Sequence, residues 1–591
     1  MKKILNTLII TCLLTGTFSC QKDFLQKPDV TGNSTVETVF STTVGAENAI
    51  AAAYRQSLVA NLWDGNSLNN GILSNVSGEM CYGESWATIL HFVSSGFLAS
   101  PGLESNPAQS TDNFFTNYTA IRKDYLVLQN IDKVTDMDAT TKAYVKGEMK
   151  GLVAYRYLAM FMRYGGVPLV DKVLSQTDSL NVPRATLQGT LDRITQLCDE
   201  AASVLPDKWP DKYAGRLTKG VALAIKAKAL IYAARPLFNA ATPYLDLGAN
   251  NKLICFGTAD QTRWTNAITA NEAVIAWATA NGYGIINTGG GTGIANTNAF
   301  DDYATATSVA SNKEVLLAYK YDVAGNKFFE FYDVAYNNER YLTAHMGMPT
   351  NFLVNYYRAD GTDQVWPVGV ANALPYSDYA AKMQAMEPRF KADNYAHCID
   401  CWNNPGDNAW KYANCGQGQN HNGSGSGDAQ STKYYYKAGS RTWFEYPLYR
   451  MPEFYLNLAE AYNETGNTAK ALLNLNIVHN RAGLQSVTET DQTKLRKIIQ
   501  REWAIEFYNE NHRYFDVKHW KLDVGNGIAA GQINEFQFTF VPGQTNDRIA
   551  ANLATYYDKP TYIVYWHPKM FLEPIPQTEI DKGILVQNPG Y

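Results

Sequence analysis

The sequence predicts a mainly α protein: helical hairpins in two blocks, with a loop-rich region containing short strands between them. Three observations predict it. In TLQGTLDRITQLCDEAASVLP, Leu187, Leu191, Ile194, Leu197, Ala201 and Leu205 recur three or four residues apart, one face of an amphipathic helix. In EFYLNLAEAYNETGNTAKALLNLNIVHNRAGL a second helical pattern breaks at Gly466 and Asn467 and then resumes, as two helices joined by a turn do. Residues 283–450 turn rich in Gly, Asn and aromatics, with NTGGGTGIANTN and GQGQNHNGSGSGDAQST and few long helical patterns. Loops of such length in a compact protein are usually functional or disordered.

The elements follow in order. Lys2 and Lys3, the mainly apolar run Ile4 to Leu14 and the small residues leading to Cys20 make the three-part layout of a secretory signal. The run is too short to span a bilayer, which needs about 20 apolar residues. A cysteine at the cleavage point suggests a lipoprotein, with Cys20 acylated and first in the mature chain. An ordinary cleaved signal with Cys20 incidental is the alternative, because Thr17, Phe18 and Ser19 fit the usual approach poorly. The expected layout is a signal peptide over 1–19, a tether over 20–35 and one domain over 36–591. Its helical repeats run over about 40–280 and 447–520 and flank the loop-rich ligand region 283–446.

KGEMKGLVAYRYLAMFMRYGGVP reads as a helix closed by Gly165 and Gly166, with Pro168 beyond. TKGVALAIKAKALIYAARP runs from Thr218, a good N-cap, to Pro236, and its alanines at 222, 224, 227, 229 and 233 let a neighbouring helix pack close. Tyr455, Leu458, Ala459, Tyr462, Ala471 and Leu475 fall on the spacing of tetratricopeptide hairpins. A similar fragment recurs at Ala229 to Tyr232, with its partner helix at WTNAITANEAVIAWA. EVLLAYKY and KYYYKAG read as short strands.

Charge is nearly balanced, 51 basic against 56 acidic residues, with no basic block to bind phosphate, so nucleic acid is not a partner. Most of the 38 Tyr, 12 Trp and 24 Phe are expected in the core, yet Tyr and Trp also make amphipathic contact surfaces. Eight cysteines cannot staple a chain of 591 residues. Cys198 lies on an apolar helical stripe as a small hydrophobe. In HCIDCW…YANC, His397, Cys398, Cys401, Cys415 and His421 leave three readings open: a disulfide with one thiol over, free thiols, or zinc ligands.

No catalytic constellation, cofactor or metal is predicted. GGGTG at 289–293 lacks the spacing of a dinucleotide loop, and no phosphate loop, zinc-protease or nucleophile-elbow motif is present. Glu453, Glu460 and Glu464, like Arg501, Glu502, Glu506, Arg513 and Asp516, read as solvated or salt-bridged helix charges. A secreted glycoside hydrolase, the rival from another class, needs two carboxyl groups about 5–10 Å apart, and no spacing marks such a pair.

Four stretches together resemble the RagB/SusD family of surface glycan-binding lipoproteins: RYGGVPLV, GRLTKGVALAIKAKALIYAARPLFN, YRMPEFYLNLAEAYNETGN with LNIVHNRAGL and REWAIEFYNENHRYFDVKHW, and the closing FLEPIPQTEIDKGILVQNPGY. RMPE departs from the commoner R-Y-A-E, and the region 360–440 is longer and richer in cysteine than the family pattern. The resemblance implies a SusD-like fold of four tetratricopeptide-like units, lipid attachment at Cys20 and a place on the outer face of the outer membrane. It implies no enzymatic activity. It also implies a SusC-like TonB-dependent transporter as partner and an oligosaccharide as ligand, with peptide the alternative. Family pockets are lined by the loop after the first helical segment and by loops after the third repeat. That nominates Tyr82, Trp86 and Tyr303, with Glu79 as polar neighbour; Trp366, Trp402 and Trp410 are expected to rim the site from the insertion.

Overall fold

The structure, a computed structural model, describes residues 35–58, 73–80, 113–175, 177–322, 347–370, 372–395, 429–431, 433–434, 436, 443–544 and 550–591. Mainly α architecture is what it shows: seventeen α-helices and eight short strands among the described residues. The first block stacks α1 (Thr43–Ser57), α2 (Phe114–Asn130), α3 (Ala139–Tyr164), α4 (Leu187–Ala202), α5 (Lys219–Ala234) and α6 (Gln261–Ala280), with neighbours from α2 onward packed in chain order.

Local chemistry sets the helix ends. Side chains of Thr42, Asp138, Thr186 and Asp260 each accept from a backbone N–H of the first turn, and Asn113 and Thr116 form a reciprocal capping box. α3 stops at Gly165, whose φ of 81° lies in the region L side chains avoid, and a Cβ there would sit 2.6 Å from Leu253 O. Thr218 does occupy the N-cap of α5, yet its hydroxyl makes no capping bond. Packing holds that helix instead: a Cβ on Gly220 would lie 2.0 Å from the Trp277 ring of α6, so the indole rests directly on the α5 backbone.

The second block contains α9 (Met451–Glu464), α10 (Thr468–Arg481), α11 (Gln492–Glu506) and α12 (Arg513–His519). Leu458, Ala459, Tyr462, Ala471 and Leu475 are buried at the crossing of α9 and α10, Tyr455 is half-buried, and Gly466 makes the turn at φ 78°. The two blocks join through α6 and α9, where Asn457 Nδ2 donates to Asn271 Oδ1 at 3.0 Å. Beside that contact, Arg235 donates to Glu460 at 2.9–3.0 Å and to Asp516 at 2.6 Å. Its guanidinium lies over the rings of Tyr232, Trp520 and Trp503. Glu453 and Glu460 are thus buried and paired rather than solvated.

Between the blocks lie α7 (Ala299–Ser308) and α8 (Pro388–Asp393), and three small antiparallel sheets draw on this region, the third completed by two strands beyond the second block. β1 (Val315–Asp322) pairs with β6 (Trp443–Arg450); β5 (Ala429–Ser431) lies between β2 (Gly347–Met348) and β4 (Asn394–Tyr395); β8 (Leu553–Val564) lies between β3 (Leu374–Pro375) and β7 (Gly531–Phe540). EVLLAYKY is a strand as expected. KYYYKAG is not, where described: Lys433, Tyr434 and Tyr436 are turns, and Tyr434 has φ 77°. The cause is tertiary, because the Lys433 ammonium is drawn to the carbonyl of Tyr508 at 2.7 Å and the Tyr434 hydroxyl to that of Asn509 at 2.6 Å. Among the described residues no helix is long and apolar enough to cross a membrane.

Candidate functional site

The turn between α11 and α12, residues 507–512, gathers the loop-rich region onto the helices. Arg450 on β6 donates to Glu506 at 2.6 Å and to Glu510 at 2.7 and 2.8 Å, and Lys433 pairs with Glu510 at 2.7 Å. Asn509 takes the left-handed conformation, φ 56°, and donates from Nδ2 to Ser431 Oγ on β5 at 3.2 Å. Its backbone N–H donates to Glu79 Oε1 at 3.1 Å. Asn509 therefore ties the stretch before residue 81 to the sheet that carries β5.

That sheet is where other stretches meet. Gln430 of β5 pairs with Gly347 of β2 on one side and with Tyr395 of β4 on the other. Residues 323–346 rejoin the described chain at Gly347, and residues 396–428 leave it at Tyr395 and return at Ala429. The stems of the segments carrying Tyr82 and Trp86, and Trp402 and Trp410, thus converge on one turn and one three-stranded sheet. Those four aromatics lie outside the described residues, as do Cys20 and the whole His397 to His421 cluster.

The other nominated residues sit differently from the expectation. Tyr303 has no exposed surface: its hydroxyl donates to Asp393 Oδ2 at 2.7 Å, and Lys433 Nζ donates to it at 2.9 Å. Glu79 is equally buried and also accepts from Ser77 Oγ at 2.8 Å. Trp366 packs against Phe536 and Tyr379 with only 7 % of its surface accessible. None of the three offers a face to a sugar. Glu79 supports a stem two residues from Cys81, and Tyr303 braces Asp393 beside β4, whereas Trp366 packs on β7 of the other three-stranded sheet.

Burial rules the electrostatics here. It pushes the Glu79 carboxyl up to about 7 against the opposing pull of Arg513, and Asp393 up to about 7 against Lys433 and the Tyr303 hydrogen bond. Glu502 shows the opposite outcome. Burial pushes it up, but Arg389 and His479 outweigh that and hold it at about 2. Arg389, at 2.6 Å from Glu502, 2.8 Å from Glu387 and 3.1 Å from Glu506, carries α8 onto α11. Sequence reading missed these bonds because no spacing within one element shows that helix charges will be buried against another.

A groove of about 540 Å³ opens between α4, α5 and α6, over Leu191, Leu223 and Leu230 and flanked by Asp199, Lys226 and Asn266. No aromatic ring lines it, so it lacks the flat apolar faces on which sugar rings stack. Among the described residues no group of three or more His, Cys, Asp or Glu side chains is arranged to hold a metal ion.

Two sequence profiles match the chain. One, described as the SusD family, matches residues 313–591; the other, described as starch-binding and associating with the outer membrane, matches residues 37–231. With both halves so matched, the chain belongs to the RagB/SusD family. Its fold is similar to that of a SusD-like protein from Bacteroides fragilis, at 23% identity over 94% of this chain and 98% of that one, with a TM-score of 0.69. A SusD-like carbohydrate binding protein from the same species gives 19% identity, 93% and 99% coverage and a TM-score of 0.63. A laminarin binding SusD-like protein gives 17% identity, 93% and 100% coverage and a TM-score of 0.54. No curated protein gives a significant sequence match.

Proposed function

We propose that this protein captures oligosaccharides at the cell surface and delivers them to a SusC-like TonB-dependent transporter, without cleaving them. The observation that carries the reading is family membership across both halves of the chain, one matching profile being described as starch-binding and associating with the outer membrane. The laminarin binding relative supports a glycan as ligand. Cys20, acylated, anchors the protein to the membrane, where two or more chains hold it because each buried methylene contributes about 0.8 kcal/mol.

Tyr82, Trp86, Trp402 and Trp410 carry the ligand. A pyranose has an apolar face that suits an aromatic ring and edges that want hydrogen bonds, and the stems of both segments meet at the Asn509 turn. Affinity electrophoresis through gels containing laminarin, starch and other glycans tests this. The wild type should be retarded in at least one gel and Trp86→Ala should migrate faster in it; equal retardation removes Trp86 from the site.

A further inference from the structure

The buried charges that dock the loop-rich region do not balance. Glu314, Glu387, Asp393, Glu502, Glu506 and Glu510 meet Arg389, Lys433, Arg450 and Arg481 in one connected set of ion pairs, with side chains no more than 2% exposed. Six carboxyl groups thus face four permanent cations. His479, 2.9 Å from Glu502, can supply one more positive charge. Even then one carboxyl has no counter-charge, and an unpaired carboxylate is strongly disfavoured in a dry interior.

Geometry indicates where the proton resides. Asp393 Oδ1 and Glu314 Oε2 are buried carboxyl oxygens with no hydrogen-bond donor. Their nearest cations are distant for a buried pair: Lys433 Nζ is 4.0 Å from Asp393 Oδ2, and Arg450 Nη1 is 3.9 Å from Glu314 Oε2. Glu314 has Arg481 at 2.9 Å on its other oxygen, whereas Asp393 has only the Tyr303 hydroxyl at 2.7 Å. Facing Asp393 are Tyr303 from α7, Tyr356, Lys433, Tyr434, and Glu506 and Glu510 from α11 and the turn after it.

We infer that Asp393 is held as the neutral acid, and that losing its proton loosens the loop-rich region from the helical scaffold. Burial works in the same direction, raising Asp393 to about 7 and raising Glu314 and Glu387. A carboxyl raised on folding stabilises fully below its unfolded value, and that stabilisation is lost as pH rises through the folded value. His512 and His519, both pushed down by burial, give the reverse trend at acid pH, so a difference between proteins isolates Asp393.

Hydrogen exchange of peptides covering 299–322 and 388–395, corrected for intrinsic pH dependence, is compared between wild type and Asp393→Asn from pH 5 to 8. The wild-type opening equilibrium should rise more steeply toward neutrality, the two slopes differing by up to about tenfold per pH unit. Infrared spectra provide a readout independent of stability. In an Asp124→Asn background, which removes the other aspartate raised by burial, 13C-labelling of aspartate carboxyls sets them apart from the buried glutamates raised likewise, and a labelled protonated-carboxyl band should persist at pH 6 and vanish when Asp393→Asn is added. Equal exchange slopes, or no such band at pH 6, overturns the inference. Should Asp393→Asn fail to fold, the labelled-aspartate band in the Asp124→Asn protein decides.

Discussion

Replacing Arg235 by methionine tests how the two helical blocks are held together. Arg235 is fully buried and makes three charge-assisted bonds, two to Glu460 at 2.9 and 3.0 Å and one to Asp516 at 2.6 Å. Methionine retains much of the apolar stem that lies among Tyr232, Trp503 and Trp520, so the main loss is electrostatic. Two buried carboxylates are left without their cation, and one-sided breaking of a buried pair costs about 3–5 kcal/mol. Arg235→Met should therefore lower stability by about that amount. Adding Glu460→Gln removes one of the stranded charges and should recover about 1–3 kcal/mol, a coupling typical of residues in one network. Urea unfolding followed by tryptophan fluorescence reads both. A loss under about 1 kcal/mol for the single variant, or a double variant whose losses simply add, refutes the reasoning.

Other outcomes follow from the same physics. Glu502, held down to about 2, contributes stability above its ordinary value that is lost as pH falls through 2; Glu502→Gln should cost about 3 kcal/mol at pH 7, narrowing toward pH 2 in thermal melts. Lys518 is pushed down to about 7 by burial, so the wild type gains stability as pH rises from 7 toward the ordinary lysine value. Lys518→Met should abolish that rise and be no less stable at pH 7. Gly220→Ala raises helix propensity by about 1 kcal/mol, yet its Cβ would meet the Trp277 ring at 2.0 Å, so melts should show a net loss of about 1–2 kcal/mol. Cys20→Ala should release the protein from membranes, and mass spectrometry of the wild-type mature terminus should find an acylated Cys20.

Much of the helical scaffold was legible because its periodicity is local. The Leu187 to Leu205 stripe, the Gly165 stop and the Tyr455 to Leu475 hairpin each declare themselves within about thirty residues, and the structure buries the apolar positions they name except Tyr455, which is half-buried. The stems of the candidate site were not legible. Glu79 meets Asn509, and Arg389 meets Glu502, across separations of 430 and 113 residues, and no spacing rule reaches that far. Tyr303 shows the same limit from the other side. Nothing in DDYATA distinguishes a ring that lines a pocket from one wedged under Asp393 and Lys433. KYYYKAG followed the tertiary partners of Lys433 and Tyr434 rather than the β propensity of its tyrosines.

The most direct test of the central claim is calorimetry of the purified protein against laminarin, starch and other plant, host and microbial glycans and casein peptides, with product analysis of every mixture. The account predicts heat of binding with at least one glycan, the glycan recovered at its original length, and weaker binding by Trp86→Ala. Release of shorter sugars by the pure protein, or heat on peptide injection alone, would contradict it.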